Sequence, residues 1–147
     1  MFTSDSGRRY WFTEYDAPDF IKQRDGVEFA FSPTELKNYM VQGGATGDKV
    51  PLVVGVLHRV LRNHPRLKDK CLMINTVHDS IEFDCHKDVL EEALAVIRDT
   101  MEALPHYYKE SFKVELPLPY KVGISYGPNW LDQQEVDQYN NLIKEAA

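Results

Sequence analysis

The sequence predicts an α+β fold, an antiparallel sheet with a central β-hairpin packed on two to three helices. Three observations carry that expectation. The stretch CLMINTVHDSIEFDC, residues 71–85, alternates Leu72, Ile74 and Thr76 on one arm and Ile81 and Phe83 on the other, with His78-Asp79 at or near the bend. Helically spaced apolar rows flank it: Val53, Val56, Leu57, Val60 and Leu61 before, and Leu90, Leu94, Ile97, Met101 and Leu104 after. The chain has 147 residues, 43% of them apolar and 12% aromatic, enough for one compact domain. A domain of that length buries ~70% of the surface its unfolded form exposes. No apolar run approaches the ~18 residues of a membrane span, so no membrane partner is expected.

In chain order, Arg8 to Asp16 (RRYWFTEYD) is aromatic and strand-like and is followed by a breaker at Ala17-Pro18-Asp19. Val27, Phe29 and Phe31 then alternate, which pairs the two stretches antiparallel across a ten-residue loop containing Asp25-Gly26. Ser32-Pro33 opens a helix, with Ser32 as N-cap, Pro33 at the first helical position and Glu35 at the capping-box offset. That helix runs at least through Gln42. Beyond it, Gly43, Gly44 and Gly47 cost a helix ~3 kcal/mol together relative to Ala, and Pro51 removes a hydrogen bond. The glycines mark either a close approach by another backbone or strand, or a plain loop. The helical row resumes after Pro51 and ends near His64-Pro65, with His58 and His64 at the surface or its boundary. After the hairpin, Asp88 caps a helix with Glu91 at its third position, and Pro105 ends it. Phe112, Val114, Leu116, Leu118 and Tyr120 alternate as a last strand, which Pro117 and Pro119 make an edge or irregular one. Gly123 to Trp130 is turn-rich. The tail 131–147 carries Val136, Tyr139 and Ile143 at helical spacing, a weakly amphipathic helix.

A net charge of −6 argues against a stand-alone nucleic-acid binder, which presents a basic face to phosphates. A metal or a basic partner chain can supply the missing positive charge. The N-terminus MFTSDSGRRYWF has no apolar signal region, so a cytoplasmic, reducing location is expected. Both Cys71 and Cys85 are accordingly expected to be free, buried thiols, facing each other across the hairpin or merely flanking it. Asp79 is the candidate for metal chemistry. A carboxylate on a hairpin bend has little freedom to wander, and hard oxygen donors suit magnesium, although Asp is also ordinary turn chemistry.

Four stretches in this order resemble the C-terminal palm region of family A (DNA polymerase I-like) DNA polymerases, especially those of bacteriophages. They are TSDSGRR at 3–9, NYMVQGGA with Asn38 and Gln42, VHDS at 77–80, and VELPLPYKVGISYGPNW at 114–130. The resemblance implies that residues 1–130 are the C-terminal half of a palm subdomain, with 131–147 a helical extension. It also implies template-directed DNA synthesis by two-metal nucleotidyl transfer, with Mg2+ as cofactor and primer-template DNA and dNTP as partners. In that reading Asp79 and His78 are catalytic, with Asp79 holding the metals and His78 beside the primer terminus. Asn38, Gln42, His78, Arg8 and Arg9 contact DNA, the two amides through minor-groove acceptors shared by all correct pairs.

Departures from the pattern are informative. Ser80 stands where the family usually has Glu, and Glu82 lies two residues away with the same strand parity. Thr34 replaces a basic residue, Pro51 falls in a helix that is usually continuous, and the Asp of the Gln-Gly-x-Ala-Ala-Asp pattern falls on Gly47. The first motif, with the other catalytic Asp, and the second, with the fingers Arg and Lys, have no counterpart in the sequence. The expectation is therefore a palm piece of a split polymerase, inactive without a complementary chain carrying fingers, thumb and those two motifs. A non-catalytic remnant or accessory subunit with the palm shape is the alternative. An HD-type phosphohydrolase fits less well, because its His and Asp ligands sit on helices and recur at long spacing.

Overall fold

The computed structural model describes residues 1–4 and 6–136. Its architecture is α+β, as the sequence predicts, with small antiparallel ladders and, among the described residues, five α-helices. Strands β1 (Phe2–Thr3) and β2 (Arg9–Tyr10) form a first hairpin, and β3 (Tyr15–Asp16) pairs with β4 (Phe29–Ala30). The Arg8–Asp16 stretch is thus two short strands in different ladders. Between β3 and β4 the expected loop holds a helix, α1 (Asp19–Asp25), which Pro18 precedes and Gly26 closes with a left-handed φ of 67°.

Helix α2 (Pro33–Gln42) begins as expected: the Ser32 side chain accepts a hydrogen bond from the Glu35 backbone N–H, and Pro33 occupies the first turn. Residues Gly43–Gly47 then form a π-helical turn that leads into α3 (Lys49–Asn63). Pro51 lies in the first turn of α3, where its missing N–H costs little. The expected interruption is therefore a change of helical pitch and not a loop.

Strands β5 (Cys71–Val77) and β6 (Ser80–Cys85) make the central hairpin. A bulge between Met73 and Asn75 leaves Ile74 unpaired and shifts the phase of the arm. Before the bulge the core takes the face of Cys71 and not that of Leu72, so Leu72 and Ile74, expected on the half-buried face, are 53% and 58% exposed, while Ile81, Phe83 and Cys85 of β6 pack on the core. Cys71 and Cys85 sit directly opposite each other at the open end, with Cα atoms 4.1 Å apart, and are joined in a disulfide. This corrects the expectation of free thiols: a facing pair at that separation places the two sulfurs within bonding reach.

The second half is helical for longer than the sequence pattern shows. His86, not Asp88, caps the segment after β6: its Nδ1 accepts from the Asp88 N–H at the start of a 3-10 turn, Lys87–Val89. Helix α4 (Leu90–Glu102) follows, and α5 (Leu104–Phe112) starts where Pro105 was expected to end helical structure. Proline fits there because the first turn of a helix has no use for its N–H. The expected strand from Phe112 to Tyr120 does not form: Phe112 ends α5 and the residues after it are irregular chain. Lys113 leaves α5 with a φ of 61°, and the Lys109 ammonium hydrogen-bonds Glu115, holding its carboxyl below the ordinary carboxylate value. Strands β7 (Ser125–Tyr126) and β8 (Gln134–Glu135) pair antiparallel, so the described part of the tail is extended and not the expected helix. Tyr139 and Ile143 of that expected helix lie outside the described residues.

The core gathers Val53, Leu57 and Leu61 of α3, Leu67 of the following turn, Cys71 of β5, Val89 of the 3-10 turn, Ala93 and Ile97 of α4, and Leu104 of α5. Leu57, Leu67 and Leu104 are fully buried, each contributing roughly 2–3 kcal/mol of transfer free energy. Ile81, Phe83 and Cys85 hold one face of β6 against this core. The hairpin arms run outward to the turn.

Candidate functional site

The hairpin turn consists of His78 and Asp79 alone, because Val77 pairs with Ser80 across it. His78 carries the reversal with a φ of 56°, a left-handed angle that His adopts more readily than most side chains. The Ser80 hydroxyl donates to the Val77 carbonyl at 2.9 Å and closes the turn. Asp79 and His78 are both exposed at the tip, and among the described residues no hydrogen bond or ion pair engages the Asp79 carboxylate. Glu82 faces Asn75 two residues along β6. One of its carboxylate oxygens, Oε2, is shielded from solvent without a hydrogen-bond partner among the described residues.

Asn38 and Gln42 stand one turn apart on α2, both exposed, so their amides share a face. Asn38 lines an open depression of about 310 Å³ with Pro33, Thr34, Lys37 and Val41. Arg9 is exposed on β2. Arg8 has partners inside the chain: its Nε donates to Asp48 Oδ1 at 2.6 Å and one terminal nitrogen donates to the Gly47 carbonyl at 2.6 Å. Ser6 also donates its hydroxyl to Asp48, whose side chain is only 5% exposed against 47% for Arg8. A buried carboxylate thus pins the first hairpin to the junction of α2 and α3.

Asp48 and Tyr10 are the two residues that reading the sequence misses. A π turn holds one residue more than the α turn it replaces, and Asp48 follows it directly, one place beyond Gly47. The doubled glycine was the signal. Tyr10 explains Gly43: a Cβ on that glycine would lie 2.0 Å from the Tyr10 hydroxyl oxygen. The close approach which the glycines allow therefore comes from this chain's own hairpin. Tyr10 also packs near Tyr39, and Phe12 stacks on Tyr39 with ring centroids 5.5 Å apart.

Among the described residues no three His, Cys, Asp or Glu side chains converge on one point. Asp79 nonetheless fits as a single ligand of a shared metal site, since its carboxylate is exposed and unengaged at a fixed turn. It does not fit as a complete site by itself. Fold and site together define an α+β domain that presents its candidate site residues on an open surface, with no helix among the described residues long and apolar enough to cross a membrane.

The chain belongs to DNA polymerase family A, whose sequence model matches residues 2–132. Members of that family are DNA-directed DNA polymerases, nucleotidyltransferases that act on DNA and deoxynucleoside triphosphates with divalent metal ions. No curated protein and no solved structure matches the chain.

Proposed function

We propose that residues 1–130 are the C-terminal half of the palm of a bacteriophage-type family A polymerase, acting as one part of a split enzyme. The observation that carries this reading is the His78-Asp79 turn, a two-residue tip whose carboxylate has no partner among the described residues. Asp79 would hold Mg2+ together with an aspartate from the complementary chain. Bound there, the metal supplies neutralisation of phosphate charge and activation of the primer hydroxyl. His78 is placed to hydrogen-bond the primer terminus. Asn38 and Gln42 offer neutral donors to minor-groove acceptors, while Arg9, and the exposed part of Arg8, meet backbone phosphates.

The hairpin supports the need for a partner. It is a ladder of only two strands, so among the described residues each has one unpaired edge, and Leu72, Ile74 and Val77 are exposed beside them. In the complex with a chain carrying the first and second motifs, Asp79→Ala should lower nucleotide incorporation about a thousandfold, roughly 4 kcal/mol of barrier. Near-normal primer extension by that variant would show that Asp79 is not a metal ligand. A non-catalytic palm-shaped subunit is the second reading, favoured by Ser80, whose hydroxyl is committed to the turn. It predicts that the wild-type complex assembles and incorporates nothing.

A further inference from the structure

Residues 58–70, HRVLRNHPRLKDK, hold five of the chain's 17 Lys and Arg and a single carboxylate, a local charge of +4 in a chain whose total is −6. This run covers the last turns of α3 and the approach to β5. Arg66 is neutralised by Glu92 at 3.2 Å. Arg59 donates only to the Gly55 carbonyl of its own helix, and among the described residues no carboxylate lies within ion-pair reach of Arg59, Arg62, Lys68 or Lys70. A cleft of about 380 Å³ opens between the end of α3 and the start of β5, lined by His58, Arg62, Lys68, Asp69, Leu72 and Met73 among others. Arg62 and His58 lie one helical turn apart, both exposed.

We infer that this cleft is a second nucleic-acid contact, binding the phosphodiester backbone of duplex DNA through Arg62 and Lys68. Concentrated cations, four of them without an ion-pair partner among the described residues, mark a stretch of this otherwise acidic chain whose field attracts a polyanion. Guanidinium matches phosphate geometry in two parallel bonds, and the lone Asp69 leaves the lining positive. The contact is separate from the turn. β5 lines the cleft as far as Met73 and ends at Val77, so about 13 Å of strand lies between cleft and turn, and a phosphate held here is not the one undergoing reaction. The choice of DNA as ligand rests on the polymerase reading; the cleft and its charge do not.

The test uses the full chain and a labelled random-sequence duplex, followed by fluorescence anisotropy across salt concentrations. Neutralising two phosphate-bound cations lowers the slope of log K against log salt by about 1.8. R62A/K68A should show that fall, with affinity lower by roughly a hundredfold near ~50 mM salt. R62Q/K68Q, which keeps more of the side-chain packing, should behave alike, and helical circular dichroism reports whether either is folded. K22A/R24A removes as much charge from α1 and should leave the slope unchanged. Asn38→Ala with Gln42→Ala should leave the slope unchanged as well, because amides release no counterions. A reduced slope in R62A/K68A therefore stands even if the minor-groove role of the amides fails. An unaltered slope in R62A/K68A and R62Q/K68Q, no binding of duplex at ~50 mM salt, or tighter binding to polyglutamate than to DNA would each overturn the inference.

Discussion

In the proposed palm reading Ser80 stands where a second acid would lie beside Asp79, and its hydroxyl bonds the Val77 carbonyl. An exposed hydrogen bond of that kind is worth about 1 kcal/mol or less. Ser80→Glu should therefore cost little stability while adding negative charge beside Asp79. In the assembled enzyme it should tighten apparent magnesium affinity and keep or raise incorporation, read from magnesium titrations of the rate. A sharp loss with unchanged folding would show a site rebuilt around the hydroxyl, with Glu82 as its acid. Gly43 gives a second test at this scale. Alanine gains about 1 kcal/mol of helix propensity, but its Cβ collides with the Tyr10 hydroxyl, and overpacking costs about 1–3 kcal/mol. Thermal melts should show Gly43→Ala net destabilising in the native background and neutral or stabilising alongside Tyr10→Ala. Both residues illustrate what a sequence exposes. The Ser32 cap and the His78-Asp79 turn were legible because their partners lie within three residues. Arg8 and Asp48 are 40 positions apart, and no local rule connects them.

Among elements, the central hairpin was legible in extent and turn but not in phase. Ahead of the bulge the core takes the face of Cys71, opposite Leu72 and Ile74, and the bulge at Ile74 then moves Thr76 out of their phase. Helix α5 was missed because Pro105 reads as a stop when it is the second residue of a new start. The disulfide was missed because compartment, inferred from an N-terminus without an apolar signal region, outweighed geometry that sequence does not supply. It closes a loop of 14 residues in sequence, which in the chain-entropy account stabilises by about 3 kcal/mol. Full reduction should therefore lower the melting temperature by several degrees, as should Cys85→Ser under oxidising conditions. An identical Tm for oxidised protein and for reduced, alkylated protein would show that the cross-link adds nothing.

For the whole molecule, the hairpin edges, unpaired among the described residues, and the exposed Leu72, Ile74 and Val77 suit an obligate-type interface of more than ~2,000 Å². The isolated chain is expected to incorporate no nucleotide. Mixing it with a chain that carries the first and second motifs should yield a complex and magnesium-dependent synthesis together, seen by size-exclusion chromatography and primer extension. Robust extension by this chain alone would overturn the split-enzyme reading. The π turn between α2 and α3 has a bearing on how such a chain can change over time. Inserting or deleting one residue in a continuous α-helix rotates everything beyond it by about 100° relative to everything before. A π turn confines that rotation to a single loop of the helix, so the amide-bearing face of α2 and the core-facing row of α3 can keep their mutual alignment while the segment between them differs by one residue in length. Homologous chains lacking one of the two adjacent glycines would then be expected to superpose on both helices, with the difference absorbed between them.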